Sequence, residues 1–380
     1  MNKLKLIKLL DKFIGHPVCI LIVKLFKLNN RLPSRPSYEI PRAPFNILVI
    51  RPGGVGDAVL ILPLLTSLKR KYPSTTLYVL AEKRNAAVFQ TSTLLKHIFL
   101  YDVFLSWGLL KLLFIKFDIV IDSEQFHYSS AIFAFLTRAK VRCGFDTNKR
   151  GYLFNHKVPY SQKKYEVESF LSLYYSLTGE KIIFDYKKPF FILDNKYLIR
   201  AKERLAQLRG EKTVIILPGA SIPQRCWPIH NYTKIINWLL ELKINVVLSG
   251  GKKDTAFSLN IKKEIAKNHF LNLIGKTSIP QIAGIIAVSD LFLSSDTGIS
   301  HLAYALGKPT LSLFGPGIIE KWAPKKEKYL AIAKNMPCSP CTKFGYTPPC
   351  PNNFTCMRSI TAEEVKEGVS HLLKLNTSNP

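Results

Sequence analysis

The sequence predicts an α/β protein made of two doubly wound domains that face one another across a cleft. Three observations lead there. Strand-like and helix-like segments alternate along the chain, and the alternation starts afresh past its middle. The apolar runs end in glycine-rich or acidic turns, where open parallel sheets hold their ligands. With 380 residues the chain also exceeds the roughly 250–300 residues at which single cores stop growing, so two domains are expected.

The elements follow in order. Pro33, Pro36, Pro41 and Pro44 mark a linker after the N-terminal segment. Residues 46–50 (NILVI) read as a buried parallel strand, then the turn RPGGVGD, then a helix over about 58–71. Strands follow at 77–81 and 119–122, the second ending in Asp122. The stretch from Arg142 to Pro159 reads as irregular, with helices at 165–177 and about 195–208. The pattern then restarts: strand 213–217, helix 232–242, strand 245–249, a short extended piece at 271–274 and helix 279–288. The segment LFLSSDTGISHLAYALGKPTLSLFGP (291–316) completes the set as strand, polar elbow, helix and strand, and 361–375 reads as a terminal helix. No solenoid-like repeat is visible. The expected division is a basic N-terminal segment and linker at 1–45, a first domain at 46–208, a second at 209–360 and a C-terminal helix and tail at 361–380, with the boundary near Gly210.

Charge narrows the partners. Lys and Arg number 54 against 26 Asp and Glu, a net charge of +28, which favours a polyanionic partner. No RNP-type aromatic signature, zinc-finger spacing or homeodomain-like helix is present, so nucleic acid is not expected. The first 31 residues interleave Lys3, Lys5, Lys8, Lys12, Lys24, Lys27 and Arg31 with Leu, Ile, Phe and Val. Their longest uncharged stretch is eleven residues, 13–23, too short to span a bilayer, and no signal-peptide cleavage site follows. Such a segment can lie on an anionic leaflet or pack on the body of the protein. The expected place is the cytoplasm, peripheral to the inner face of the inner membrane.

Four turns carry candidate chemistry. In 291–316, Asp296 closes a strand, and Thr297 and Gly298 open a helix whose N–H groups attract an anion. RPGGVGD supplies Gly53, Gly54 and Gly56 for close backbone approach and Asp57 in the first helical turn. It is neither the dinucleotide fingerprint nor a P-loop, and taken alone it reads first as a plain helix start with Asp57 in its first turn. PGASIPQRCWP offers Gly219 and Ser221 for an anion and Arg225 for bidentate phosphate contact, with Trp227 and Tyr232 as aromatic buttress. Asp254, after Gly250 and Gly251, either meets ribose hydroxyls or caps its own turn. His301 contacts phosphate or packs within its helix.

These pieces together resemble glycosyltransferase family 9, the ADP-heptose:lipopolysaccharide heptosyltransferases. ILVIRPGGVGDAVLILPLL, VIDSEQFHYSSAIFAFLTRAKVRCGF, ILPGASIPQRCWPIHNY, LSGGKKDT and IGKTSIPQIAGIIAVSDLFLSSDTGISHLAYALGKPTLSLFGP occur in family order over most of 46–316. The resemblance implies a GT-B fold of two Rossmann-like domains, an acceptor domain followed by a nucleotide-sugar donor domain. It also implies inverting transfer to a lipopolysaccharide or other glycolipid acceptor, with no cofactor needed for catalysis. By position, Asp57 matches the general base and Arg225 the basic residue at the donor diphosphate, where many members have lysine. Asp296 matches the carboxylate on donor sugar hydroxyls, and the terminal helix of such enzymes can cross back to the first domain. Two other readings stand beside it: transfer of another nucleotide sugar to a surface glycan, and a non-catalytic sugar-nucleotide-binding protein.

Four of seven cysteines, Cys338, Cys341, Cys350 and Cys356, cluster in the loop 338–356. The spacing is compatible with a structural four-thiolate zinc site, with free thiols in a packed loop, or with redox chemistry. Reducing surroundings disfavour disulfides.

Overall fold

A computed structural model describes residues 11–28, 40–91, 94–95, 97–100, 111–255, 261, 265 and 270–375. The chain divides into two compact units, Met1–Phe184 and Asp185–Pro380. Each is a six-stranded, wholly parallel sheet with helices packed on it. Apolar runs such as 47–50 and 214–216 are buried along their whole length, the signature of parallel strands covered on both faces.

In the first unit, helix α1 (His16–Leu28) precedes β1 (Asn46–Arg51), α2 (Val55–Leu60), α3 (Leu62–Lys71), β2 (Thr76–Ala81), α4 (Ala86–Gln90) and β3 (His97–Leu100). Then come β4 (Ile119–Asp122), α5 (Tyr128–Leu136), β5 (Val141–Phe145), β6 (His156–Val158) and α6 (Glu166–Thr178). The single helix expected over 58–71 is two, because Pro63 has no N–H to continue the ladder, and the chain turns at Ile61. The stretch 142–159, expected to be irregular, holds two strands and a 3-10 turn, Asn148–Leu153. Its strands are three to five residues long with charged Arg142 and Lys157 among them, too short for periodicity to show.

In the second unit, α7 (Asn195–Leu205) leads to β7 (Thr213–Leu217), α8 (Ile229–Glu241), β8 (Asn245–Leu248), β9 (Phe270–Asn272), α9 (Ile279–Ala287) and β10 (Leu291–Ser295). It closes with α10 (Gly298–Ala305), β11 (Thr310–Phe314), α11 (Ile319–Trp322), β12 (Tyr329–Ala333), α12 (Thr355–Arg358) and α13 (Ala362–Leu373). The division falls at 184/185 rather than at 208/209, because α7 packs on α9. Gly284 permits this: a Cβ there would lie 2.4 Å from the Tyr197 carbonyl oxygen. The terminal helix α13 packs within this unit. Val365, Val369 and Leu373 join the core of Val214, Ile216 and Leu311, and a Cβ on Gly368 would meet Leu311 at 2.3 Å. Residues 376–380 of the expected tail, and 1–10 and 29–39 of the expected N-terminal segment and linker, lie outside the described residues.

The two sheets have one topology. The strand order is β3-β2-β1-β4-β5-β6 in the first and β9-β8-β7-β10-β11-β12 in the second. Both reverse direction of growth beside their first strand, between β1 and β4 and between β7 and β10. The loops at the carboxyl ends of these four strands are therefore where each unit is built to hold a ligand.

Candidate active site

The first switch point is the loop after β1. Gly53 has φ +120°, and a Cβ on it would come within 2.9 Å of Asp57 Oδ2, so glycine is needed there. Its N–H donates to Glu82 Oε1 at 3.0 Å, and the Gly54 N–H donates to Asp57 Oδ2 at 2.9 Å. Asp57 thus caps the helix that it begins. Its other oxygen, Oδ1, lies 4.0 Å from Arg51 Nη2, and the side chain stays 23% exposed. One carboxylate oxygen is held and the other is free of hydrogen bonds to the loop, as a proton acceptor requires. Gly56 is buried in the first turn of α2, letting the helix start against the sheet.

Arg51, which the sequence reading did not single out, is the anchor of this loop. It is 1% exposed, and it donates from Nε to the Pro52 carbonyl, from Nη1 to the Ser123 carbonyl at 2.7 Å and from Nη2 to Glu124 Oε2 at 3.0 Å. Burial alone would raise the Glu124 carboxyl, but His127, Arg51 and Arg150 outweigh it and hold it at about 2. Arg150, fully buried, pairs with Asp122 and donates to the Glu124 carbonyl at 2.7 Å. The missed signal was present: Arg51 ends an apolar strand, and Asp122 and Glu124 follow another. What the sequence does not say is that these two strands are neighbours.

The second switch point lies between β7 and β10. After β7, Gly219 is buried and Ser221 exposed, and a 3-10 turn (Pro223–Arg225) presents Arg225. The turn is set by Trp227, buried, whose Nε1 donates to the Ile360 carbonyl at 2.9 Å and whose ring meets Tyr232 edge-on at 4.8 Å. After β10, Asp296 is 4% exposed and Thr297 caps α10, its Oγ1 accepting the Ser300 N–H. Arg225 Nη1 stands 3.3 Å from Asp296 Oδ2. This pair is unlike the one in the first unit: Arg225 Nε and Asp296 Oδ2 are both buried without a hydrogen-bond partner. Such atoms are costly unless something satisfies them, which makes the pair a candidate to receive a polar ligand at the N-terminus of α10. Gly317 closes the floor, with space for no Cβ because Asp296 Oδ2 would be 2.6 Å away.

The remaining candidates divide. Asp254 accepts the Gly251 N–H at 2.8 Å and is 5% exposed, with Oδ1 against Gly219. Of its two readings the geometry has the cap. His301 is buried, its ring centroid 5.6 Å from Trp322 and 5.9 Å from Tyr304, a seat among aromatic side chains. Cys338, Cys341, Cys350 and Cys356 line one pocket. Yet among the described residues no group of three or more His, Cys, Asp or Glu side chains is arranged to hold a metal ion, so the zinc reading finds no geometry. The free cysteines instead belong to a bracing loop. Ser339 Oγ donates to the Gly315 carbonyl at 2.6 Å and Thr342 N–H to that of Pro316 at 2.9 Å, behind Gly317 and Asp296.

The chain is similar in sequence and in fold to known proteins. The sequence model described as Glycosyltransferase family 9 (heptosyltransferase) matches residues 109–350. The chain is 25% identical over 342 residues to lipooligosaccharide heptosyltransferase 2 of Haemophilus influenzae, covering 84% of this chain and 90% of that protein. Its fold matches the structure of E. coli ADP-heptose lps heptosyltransferase II with a TM-score of 0.71 at 21% identity, over 87% of this chain and 99% of the other. E. coli heptosyltransferase WaaC with ADP gives 0.66 at 19% identity, over 87% and 100%. With the family matched over more than half its length, and two doubly wound units of the GT-B type, this chain belongs to glycosyltransferase family 9 and is a glycosyltransferase.

Proposed function

We propose that the chain transfers heptose from ADP-heptose to a lipopolysaccharide core acceptor, with inversion and without a metal. The observation that carries this is the pair of half-buried Arg225 and buried Asp296 at the N-terminus of α10, with a polar atom on each that has no hydrogen-bond partner. A nucleotide sugar satisfies both. Its diphosphate takes the Arg225 guanidinium and the N–H groups of Thr297 and Gly298, and its sugar hydroxyls donate to Asp296. Gly219 and Ser221 complete the turn beside the diphosphate, and Asp254 holds that turn from behind.

Asp57 supplies the base. The acceptor hydroxyl attacks the anomeric carbon from the side opposite the diphosphate, the carbon–oxygen bond to phosphate breaks, and the hydroxyl proton passes to Asp57 Oδ1. The products are the new glycosidic bond and ADP, whose added charge Arg225 and the start of α10 absorb. The Gly54 N–H holds the carboxylate by Oδ2, and Arg51 Nη2 lies 4.0 Å from Oδ1 itself. No cofactor enters this scheme.

The family relatives named for lipopolysaccharide and lipooligosaccharide heptosyl transfer support the sugar and the acceptor. The net charge of +28 supports work at the anionic cytoplasmic face of the inner membrane, and no described helix is long and apolar enough to cross it. The test is calorimetric titration with ADP-heptose and with uridine and guanosine diphosphosugars. Tighter binding of ADP-heptose is expected. Preference for a uridine or guanosine donor would transfer the chain to another surface glycan.

A further inference from the structure

We propose that one face of α1 is a docking surface for an anionic phospholipid bilayer. The helix is fixed to the first unit by a ladder of four-residue spacing. Asp11, Gly15, Cys19 and Val23 all face inward, beginning in the wider helical turn Asp11–Gly15 that leads into α1. Asp11 is 4% exposed and accepts the N–H groups of Ser129 at 2.7 Å and Tyr128 at 3.0 Å, with His127 Nδ1 at 3.3 Å, so it caps α5 across 118 residues of chain. Gly15 lets the turn sit against Tyr128, whose Cβ would be 3.3 Å from a Cβ there. Cys19 and Val23 join the core of Leu48, Ile50 and Val120. The rotation of the helix about its axis is thereby set.

The opposite face is apolar as well. Ile14, Val18, Leu21 and Leu25 are 52%, 37%, 56% and 50% exposed. Their spacing of four, three and four residues makes one stripe about 16 Å long. A single exposed leucine needs no explanation, but a surface helix that merely packs on its protein turns a polar face outward. Exposed Lys24 sits beside the stripe, and the first 31 residues hold six lysines and an arginine. Their only acid is Asp11, which is turned inward onto α5. Apolar side chains flanked by lysines match acyl chains beneath anionic headgroups. A second copy of this chain would bring like charges together, and four residues are far short of the roughly 20–30 a side of a stable interface. A helix of 13 residues reaches about 20 Å, so it lies on the bilayer rather than spanning it.

This deepens the proposed function by holding the enzyme where a lipid-anchored acceptor is found. The test is co-sedimentation of the full chain with phosphatidylglycerol–phosphatidylcholine vesicles and with phosphatidylcholine vesicles alone. The wild type is expected to bind the anionic vesicles, less at high salt, and the double variant Leu21→Glu, Leu25→Glu to bind at least about tenfold more weakly with unchanged melting temperature. Lys24→Glu weakens binding in the same direction by less. Absent binding, or binding indifferent to the double variant, overturns the proposal. So does a dimer in gel filtration that the double variant dissolves, since the stripe is then an interface between copies. Transfer to a delipidated acceptor is expected to survive the double variant, and its loss likewise overturns the docking role. Should no heptose transfer be found for the wild type either, the proposed reaction fails while the vesicle result stands by itself.

Discussion

The two units are one topology with two outcomes. Each brings an arginine associated with its first strand to a carboxylate that follows its fourth: Arg51 to Glu124 at 3.0 Å, Arg225 to Asp296 at 3.3 Å. In the first unit the arginine also donates to two carbonyls, and Glu124 accepts the N–H groups of Gln125 and Phe126. In the second, Arg225 Nε and Asp296 Oδ2 have no hydrogen-bond partner, although Oδ2 faces Arg225 Nη1. A satisfied buried pair holds a loop in place, whereas an unsatisfied one is held ready for something else. The same contrast recurs in a smaller motif. Two glycines and, three residues after the second, an aspartate form Gly53-Gly54-x-x-Asp57 and Gly250-Gly251-x-x-Asp254, and in both the second glycine's N–H is capped by the aspartate. Asp57 keeps an oxygen toward solvent, while Asp254 is shut against Gly219. Identical local chemistry serves as the proposed base in one place and as a brace in the other, according to what covers it.

The largest expected effect breaks this contrast at its sharpest point. Asp57→Asn is expected to lower transfer by about 10²–10⁴-fold, the range of a lost general base, with donor affinity by calorimetry unchanged within a few-fold. Transfer that survives would mean that the base is elsewhere, and that exposure of this carboxylate has no chemical use. Retained donor binding with lost transfer also excludes a protein that merely binds sugar nucleotides.

Next in size are the two arginines, which should fail in different ways. Arg51→Met leaves Glu124 buried and unpaired, and is expected to cost about 3–5 kcal/mol in urea unfolding. Arg225→Ala is expected to cost clearly less, because Arg225 is 19% exposed and water can take its place beside Asp296, and to lower turnover by about 10²–10³-fold, with weaker binding of ADP. If Arg225→Ala unfolds the protein as Arg51→Met does, the second pair is structural too, and its unmet atoms are not a donor site.

How much of this was legible beforehand differs by length scale. Strands such as residues 213–217 and 119–122 were readable to the residue, because a parallel strand buried on both faces is an unbroken apolar run. Asp57, Arg225 and Asp296 could be put forward as candidates because each lies shortly after such a run. The Arg51–Glu124 contact was not, since 73 residues separate the partners and only the strand order joins them. The boundary at 184/185 goes with the packing of α7 on α9, which Gly284 admits and which no local pattern announces. The cysteine loop left three readings open because spacing alone does not separate a metal site from packed free thiols, while the structure gives its polar groups to the Gly315 and Pro316 carbonyls.

A pH series sharpens the satisfied pair further. Glu124 is depressed from 4.5 to about 2 by its cationic neighbours, against its burial. A depressed carboxylate contributes stability that is fully present above its unfolded value and lost as pH falls through its folded one. Unfolding free energy is therefore expected to fall between about pH 4.5 and 2, and Glu124→Gln to flatten that slope while lowering stability at neutral pH. An unchanged slope would assign acid sensitivity to other carboxylates.

The smallest effect is the most discriminating. Asp254→Asn keeps the size of the side chain and one acceptor for the Gly251 N–H, so only charge is removed. As a cap at the start of a short turn, that charge is worth about 0.5–1 kcal/mol, seen as a small drop in melting temperature. Turnover and affinity for ADP-heptose should both hold within about twofold, since 0.4 kcal/mol is all that a twofold change represents on the scale of 1.4 kcal/mol per decade. A ribose bound by Asp254 predicts otherwise, with affinity falling while stability holds. In that event Asp254 must first swing away from Gly219, and the second glycine–aspartate turn is as much a ligand site as the first.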